Sequence, residues 1–230
     1  MIEFRNVVLH YHYDQFALLK GATFTLRGGV NTVLADTQSG KSSLCKLLMK
    51  EVAANSGEIL VDGLKLSCIT SADLGILYLP SSPTFFENRS VRFNLEYPLK
   101  VRKVAKSERK QSAEQVAASL GLDDLDVKVK NLSAEQRKLV ALARGLTVER
   151  ETVLFDDFFN LDGDQCSLAY VDGILDKFKN ATCVILSSDK RLAIGNTVVL
   201  DGGVTVYEGD ADGARNVVDG LGWLNGSIKE

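Results

Sequence analysis

The chain reads as an α/β protein built on a mostly parallel sheet with a helical stretch inserted in it. Three observations predict this. Compact apolar runs of strand length recur through both halves of the 230 residues. Runs with helical spacing alternate with them, as parallel sheets require. Residues 88–146 carry almost only helical periodicity. With 45% hydrophobic residues and three prolines, the chain has enough apolar side chains for a sizeable core.

Taken in order, residues 2–11 and 22–27 alternate apolar and polar like strands, and residues 31–36 form a short apolar run. Leu44, Leu47 and Leu48 follow at helical spacing. Ser56-Gly57-Glu58-Ile59-Leu60-Val61-Asp62-Gly63 reads as turn, short strand, turn. Gly75-Ile76-Leu77-Tyr78-Leu79 is a buried-strand run stopped by Pro80. Ala113, Val116, Ala117 and Leu120 fall at i, i+3, i+4 and i+7, as do Leu139, Leu142, Ala143 and Leu146. Three further buried strands are expected at residues 152–156, 182–187 and 197–200. No internal repeat or low-complexity segment is evident.

Composition narrows the function classes. The net charge of −3 gives no global basic field, so nucleic-acid binding is not expected. No apolar run approaches the roughly 18 residues of a membrane span. Met1-Ile2-Glu3-Phe4-Arg5 leads directly into strand-like alternation, so no signal peptide is expected. Cys45, Cys68, Cys166 and Cys183 lack close spacing and read as free thiols of a reducing compartment. His10 and His12 flank Tyr11 and read either as a solvated strand end or as a metal pair. Arg102, Lys103, Lys106, Arg109 and Lys110 form a basic cluster, either a solvated helix face or a contact for a membrane subunit or anionic lipid.

The most informative stretch is Ala35-Asp36-Thr37-Gln38-Ser39-Gly40-Lys41-Ser42, with Ser43 beginning the helix behind it. A strand, a tight loop ending Gly-Lys-Ser and a helix make a phosphate-binding P-loop. Backbone N–H groups and the helix N-terminus attract phosphate oxygens there. Lys41 would reach the outer phosphates, and the Ser42 hydroxyl would ligate Mg²⁺. Ala35 replaces the usual first glycine, and it lacks glycine's freedom at positive φ, so the loop is expected to be slightly strained or re-aimed.

Two further segments carry chemistry. Val153-Leu154-Phe155-Asp156-Asp157 is a run of strand formers ending in two carboxylates. After a P-loop, such a strand delivers an aspartate, here Asp156, to the Mg²⁺ shell. Asp157 would orient the attacking water. Taken alone, Asp-Asp after an apolar run also starts turns. Leu132-Ser133-Ala134-Glu135-Gln136-Arg137 reads first as a helix start: Ser133 and Gln136 form a capping box, and Glu135 suits a first turn.

The order and spacing of these segments resemble the nucleotide-binding domain of ATP-binding cassette (ABC) transporters along essentially the whole chain. Phe4-Arg5-Asn6-Val7 and Tyr11 are similar to that family's opening strand and adenine-stacking aromatic, although Tyr11 also suits a core or edge position. Residues 56–63 are similar to its Ser-Gly-Glu-Ile turn, and Leu132 to Gln136 to its signature. Asp156-Asp157 resembles its Walker B end. Leu200-Asp201-Gly202-Gly203 with Tyr207-Glu208-Gly209 resembles its closing hairpin.

The resemblance implies one ABC ATPase domain over residues 1–230. It implies an antiparallel β subdomain and an inserted helical subdomain at about 86–146. Mg-ATP would be sandwiched in a head-to-tail dimer, with Ser133, Ala134, Glu135 and Gln136 facing the partner's nucleotide. The membrane-spanning subunits would be separate chains and the second ATPase the same or different. The chain would lie on the cytoplasmic side of the membrane. Residues 88–100 are similar to stand-alone ATPase subunits of the lipoprotein-release, macrolide-efflux and cell-division types.

Several residues depart from the family's pattern. Ser81 stands where the family has a Q-loop glutamine, Asp157 where it has a catalytic glutamate, and Ser188 where it has a switch histidine. Ala134 and Glu135 replace both signature glycines. The spacing from Asp156 to Asp162 is one residue short of the family's. Two functions are therefore expected as alternatives: an ATP-binding subunit with impaired hydrolysis, or a non-hydrolysing regulatory or structural module.

Overall fold

The computed structural model describes residues 1–10, 18–36, 40–70, 73–148, 150–162 and 166–223. Tyr11, His12 and the P-loop residues Thr37, Gln38 and Ser39 lie outside the described residues. The chain forms two compact units, Met1–Tyr78 with Glu151–Glu230, and Leu79–Arg150.

The first unit opens with β1 (Ile2–Leu9), β2 (Leu19–Leu26), β3 (Val30–Ala35) and α1 (Lys41–Leu48). It continues through β4 (Ser56–Val61), β5 (Leu64–Lys65) and β6 (Ile76–Pro80), the last of which carries the chain into the second unit. The second unit holds α2 (Val91–Val101), α3 (Lys106–Ser119) and α4 (Ala134–Leu146). The first unit then resumes with β7 (Thr152–Asp156), α5 (Leu168–Lys177), β8 (Thr182–Ser187), β9 (Asn196–Asp201), β10 (Val204–Gly209) and α6 (Ala211–Leu221).

Two sheets organise the first unit. One is antiparallel, in the order β2-β1-β4-β5. The other has the order β10-β9-β3-β8-β7-β6. In it β3 runs parallel to β8 and β9, and β7 parallel to β8, while β10 closes an antiparallel hairpin on β9. Successive side chains of a strand point to opposite faces, and the burial follows that rule. Val33, Ala35, Leu154, Val184 and Leu186 share a core with Leu44, Cys45, Leu47 and Leu48 of α1 and with Phe4, Phe24 and Ile59 of the antiparallel sheet. Leu34 and Val199 face the other way, onto Ala214 and Val218 of α6. Each fully buried leucine in this core contributes about 1.5–3 kcal/mol, so α1 is fixed by its Leu44, Leu47 and Leu48 face.

The Ser-Gly-Glu-Ile turn has a physical cause in this core. Gly57 has φ 79°, and a Cβ there would lie 2.2 Å from the Asn6 carbonyl oxygen. β4 packs so closely against the bulged part of β1 that no other residue fits.

The second unit has its own core. Val91 and Leu95 of α2, Ala113 and Ala117 of α3, and Val140 and Ala143 of α4 meet with Leu125 and Val129. Buried Asn94 ties the segment before α2 to the helix: its Oδ1 accepts from the Phe86 N–H, and its Nδ2 donates to the Phe86 and Ser90 carbonyls. The α3 face is the one its spacing predicts, with Val116 and Leu120 packed beside the two alanines. On α4 the seam differs. Val140, Ala141, Leu142 and Ala143 are all buried, whereas Leu139 and Leu146 are only half-buried. A helix buried around much of its circumference does not keep its core on one stripe. The basic cluster is split as well. Arg109 donates to the Val104 carbonyl at 2.6 Å and lies 3.9 Å from Glu96, so it is not part of a solvated face.

The expected strands differ from the observed ones mainly at their ends. β1 stops at Leu9, and β2 begins at Leu19, three residues before the alternation starts to show. The four cysteines are free, with Cys45 and Cys183 buried.

Candidate functional site

Parallel strands place their C-terminal ends on one edge of a sheet, where α/β proteins bind ligands. Here β3 ends at Ala35, β7 at Asp156 and β8 at Ser187, with Asp156 opposite Leu186 and Leu34 opposite Ser187. The alternation that turns Leu154 toward α1 turns Asp156 the same way. The local sequence therefore brings Lys41, at the start of α1, to the two carboxylates.

Gly40 precedes α1 with φ 89°, a left-handed backbone that glycine alone adopts readily. Ala35, in contrast, is not at positive φ. It ends β3 with its methyl group fully buried in the core, so the strain expected from the missing glycine is absent. Lys41 is 6% exposed. Its Nζ donates to the Ala35 carbonyl at 2.9 Å and the Asp36 carbonyl at 3.1 Å, and lies 4.0 Å from Asp157 Oδ2. Burial pushes the lysine pKa down, and the carboxylates of Asp157, Asp156 and Asp36 oppose that shift. Ser42 is exposed in the first turn of α1, and Ser43 is buried beside Lys41.

Asp156 is 5% exposed. Its Oδ2 accepts a 2.8 Å hydrogen bond from the Tyr78 hydroxyl of β6, and its Oδ1 is buried with no hydrogen-bond partner among the described residues. Burial, and then the bond to Asp156, push the Tyr78 pKa up, so the phenol is the donor. Asp157 is half-exposed with φ 44°, a region in which Asp is among the more tolerated residues. Its amide donates to the Leu186 carbonyl at 3.0 Å. Burial raises its pKa, Lys41 opposes this, and Asp156 adds to it.

These donors fit Mg²⁺ held together with phosphate. The orphaned Asp156 oxygen and the exposed Ser42 hydroxyl are hard oxygen ligands, and Mg²⁺ is commonly bound by one or two carboxylates plus phosphates. Among the described residues no three His, Cys, Asp or Glu side chains converge.

In the second unit, Ser133 caps α4 through the predicted capping box. Its Oγ accepts from the Gln136 amide at 3.2 Å, and its own amide donates to Gln136 Oε1 at 2.9 Å. Replacing Ser133 with Ala is expected to cost about 1 kcal/mol of stability, read as a lower urea midpoint. Arg137 and Arg144 flank the Phe85 ring at 5.2 and 4.8 Å. Arg137 also pairs with Glu87, and Arg144 donates to the Thr84 carbonyl. This fixes residues 84–87 along α4, from Arg137 in its first turns to Arg144 in its last.

Residues 19–160, more than half of the chain, match the ABC transporter family. The chain belongs to that family. It is similar to the molybdate/tungstate import ATP-binding protein WtpC of Thermococcus kodakarensis, 33% identical over 153 residues, which cover 65% of this chain and 46% of that protein. It is similar also to the energy-coupling factor transporter ATP-binding protein EcfA of Onion yellows phytoplasma, 27% identical over 217 residues, 90% of this chain and 78% of that protein. The lactose transport ATP-binding protein LacK of Rhizobium radiobacter is 27% identical over 216 residues, 91% of this chain and 60% of that protein. The chain thus spans less than half the length of WtpC.

The residues expected to depart from the family's pattern have these positions. Ser188 is half-buried just past the end of β8, and Ser81 is exposed just past β6. Ala134 and Glu135 are exposed in the first turn of α4. The Glu135 carboxylate is held below the usual carboxylate range by its own backbone N–H and by the Ser133 hydroxyl. Asp162 pairs with Arg191 Nη2 at 2.6 Å, and the same nitrogen contacts Asp189 Oδ2 at 2.6 Å. The Tyr78 bond and this Asp162–Arg191–Asp189 link are missing from the sequence reading. A polar-tipped tyrosine within a buried run was the available signal for the first. Nothing in the local sequence signals the second.

Proposed function

We propose that residues 1–230 form one ABC ATPase domain, with a helical subdomain at about 86–146, that binds Mg-ATP. It couples binding or slow hydrolysis to separate membrane-spanning subunits, alongside a second ATPase subunit, at the cytoplasmic face of the membrane. No helix among the described residues is long and apolar enough to cross a membrane. The observation that carries this reading is the convergence of buried Lys41 with Asp157 and with Asp156, whose Oδ1 has no hydrogen-bond partner among the described residues, at the C-terminal edge of the parallel strands.

In this reading Lys41 turns its ammonium from the Ala35 and Asp36 carbonyls to the outer phosphates. The loop from Ala35 to Ser43, including Thr37, Gln38 and Ser39, surrounds the phosphates, and Tyr11 stacks on adenine. Ser42 and Asp156 hold Mg²⁺, which supplies charge neutralisation at the phosphates when bound. Asp157 orients the attacking water. Across the dimer, Ser133, Ala134, Glu135 and Gln136 face the partner's nucleotide.

Hydrolysis is slow because the groups that act on water are short or missing. An aspartate is one methylene shorter than glutamate, and a displacement of about 1 Å can cost on the order of 10²-fold. Ser188 offers no charge to the γ-phosphate. Asp157→Glu combined with Ser188→His is therefore expected to raise steady-state phosphate release by on the order of 10²-fold. Thermal melting checks that the left-handed backbone at position 157 accepts the longer side chain. Unchanged phosphate release from a folded double variant would favour a second reading, a non-hydrolysing regulatory or structural module. The observation behind that second reading is the carboxylate of Glu135 at the start of α4.

A further inference from the structure

We propose that Tyr78 is a positioning residue that fixes the orientation of the Asp156 carboxylate, so that one of its oxygens is presented to the metal. The inference rests on the Mg-ATP reading above and adds to it a residue that none of the sequence motifs contains.

β6 neighbours β7 in the sheet, and Tyr78 reaches Asp156 across that pair. Its hydroxyl donates to Asp156 Oδ2 at 2.8 Å. The carboxylate is almost fully buried, and its other oxygen has no hydrogen-bond partner among the described residues. One oxygen is thus tied to β6 and the other is left for a metal ion or its water. Tilting the carboxylate out of this plane would break the Tyr78 bond and leave a second buried acceptor unpaired, which is costly. Lys41 does not take this role, because its ammonium donates to the Ala35 and Asp36 carbonyls and stands nearer Asp157. Partners that orient a ligating carboxylate tune metal affinity without touching the metal.

Tyr78→Phe removes the hydroxyl and keeps the ring, so it separates orientation from packing. ATP affinity is measured by calorimetry on the full chain, first in EDTA and then with saturating Mg²⁺, for wild type and variant. Mn²⁺ binding in the presence of ATP, followed by electron paramagnetic resonance, reads the metal directly. The expected result is unchanged ATP affinity in EDTA, with metal affinity lowered about 10-fold or more in the variant. A variant that keeps the whole Mg²⁺ gain and wild-type Mn²⁺ affinity would overturn the proposal. So would a variant weakened by the same factor with and without metal, since that marks a structural role. Wild-type ATP binding with no Mg²⁺ gain would overturn it while sparing the phosphate cradle. A wild type that binds no ATP under either condition would overturn both the proposal and the reading beneath it.

Discussion

Lys41→Ala is expected to lower Mg-ATP affinity by on the order of 10²-fold, because hydrogen bonds to charged groups are worth about 1.5–3 kcal/mol each and an ammonium on phosphate makes more than one. The fold is expected to survive the change. Lys41 is a buried cation whose charged form is penalised by burial, and its two hydrogen bonds go to the backbone carbonyls of Ala35 and Asp36 at the end of β3 rather than to core side chains. The core contribution of α1 comes from Leu44, Cys45, Leu47 and Leu48. Calorimetry on wild type and variant, with melting curves for both, checks the prediction. Equal affinities in two folded proteins would remove the P-loop from the account.

Glu135→Gly is expected to convert a chain that stays monomeric in micromolar Mg-ATP into one that dimerises with it. In a homodimer each γ-phosphate would meet Glu135 of the opposite subunit. Like charges 4 Å apart repel by about 1 kcal/mol in water and about 4 kcal/mol at the effective dielectric of a partly covered site. The cost of glycine in a helix is about 1 kcal/mol, so relief of repulsion outweighs the weakened first turn. The Glu135 carboxylate is held below the ordinary range by the Ser133 hydroxyl and its own amide, so mild acidification does not substitute for the mutation. Glu135→Gln removes the charge while keeping a helix-forming side chain, and is expected to act in the same direction. Light scattering showing a tight ATP-dependent homodimer of the wild-type chain would refute the repulsion argument.

What the sequence disclosed, and what it withheld, follows from the range of the interactions. The P-loop, the apolar strand ending in Asp156-Asp157 and the Ser133 capping box are local patterns, and the structure places Ser133 against Gln136 as their spacing suggests. Their functional roles remain the proposal made above. The Tyr78–Asp156 bond joins residues 78 apart; the tyrosine within a buried run signals a need for a partner, but no local pattern names Asp156. Nor does spacing reveal that Arg191 links Asp162 to Asp189. The last two helices were readable and went unread. Ser167 caps α5 ahead of Val171, Ile174 and Leu175. Asp210 caps α6 ahead of Ala214, Val217, Val218 and Leu221, with Gly222 in the left-handed conformation at its end. On α4, burial of four successive residues defeats a single-stripe reading.

The central claim is that nucleotide binding is retained while hydrolysis is impaired. A single-turnover experiment with excess wild-type chain and γ-labelled Mg-ATP tests both halves at once, by following protein-bound ATP and released phosphate over time. The account predicts that ATP is captured and stays largely intact, with phosphate appearing slowly. Rapid conversion to ADP and phosphate, or no capture of ATP at all, would contradict it.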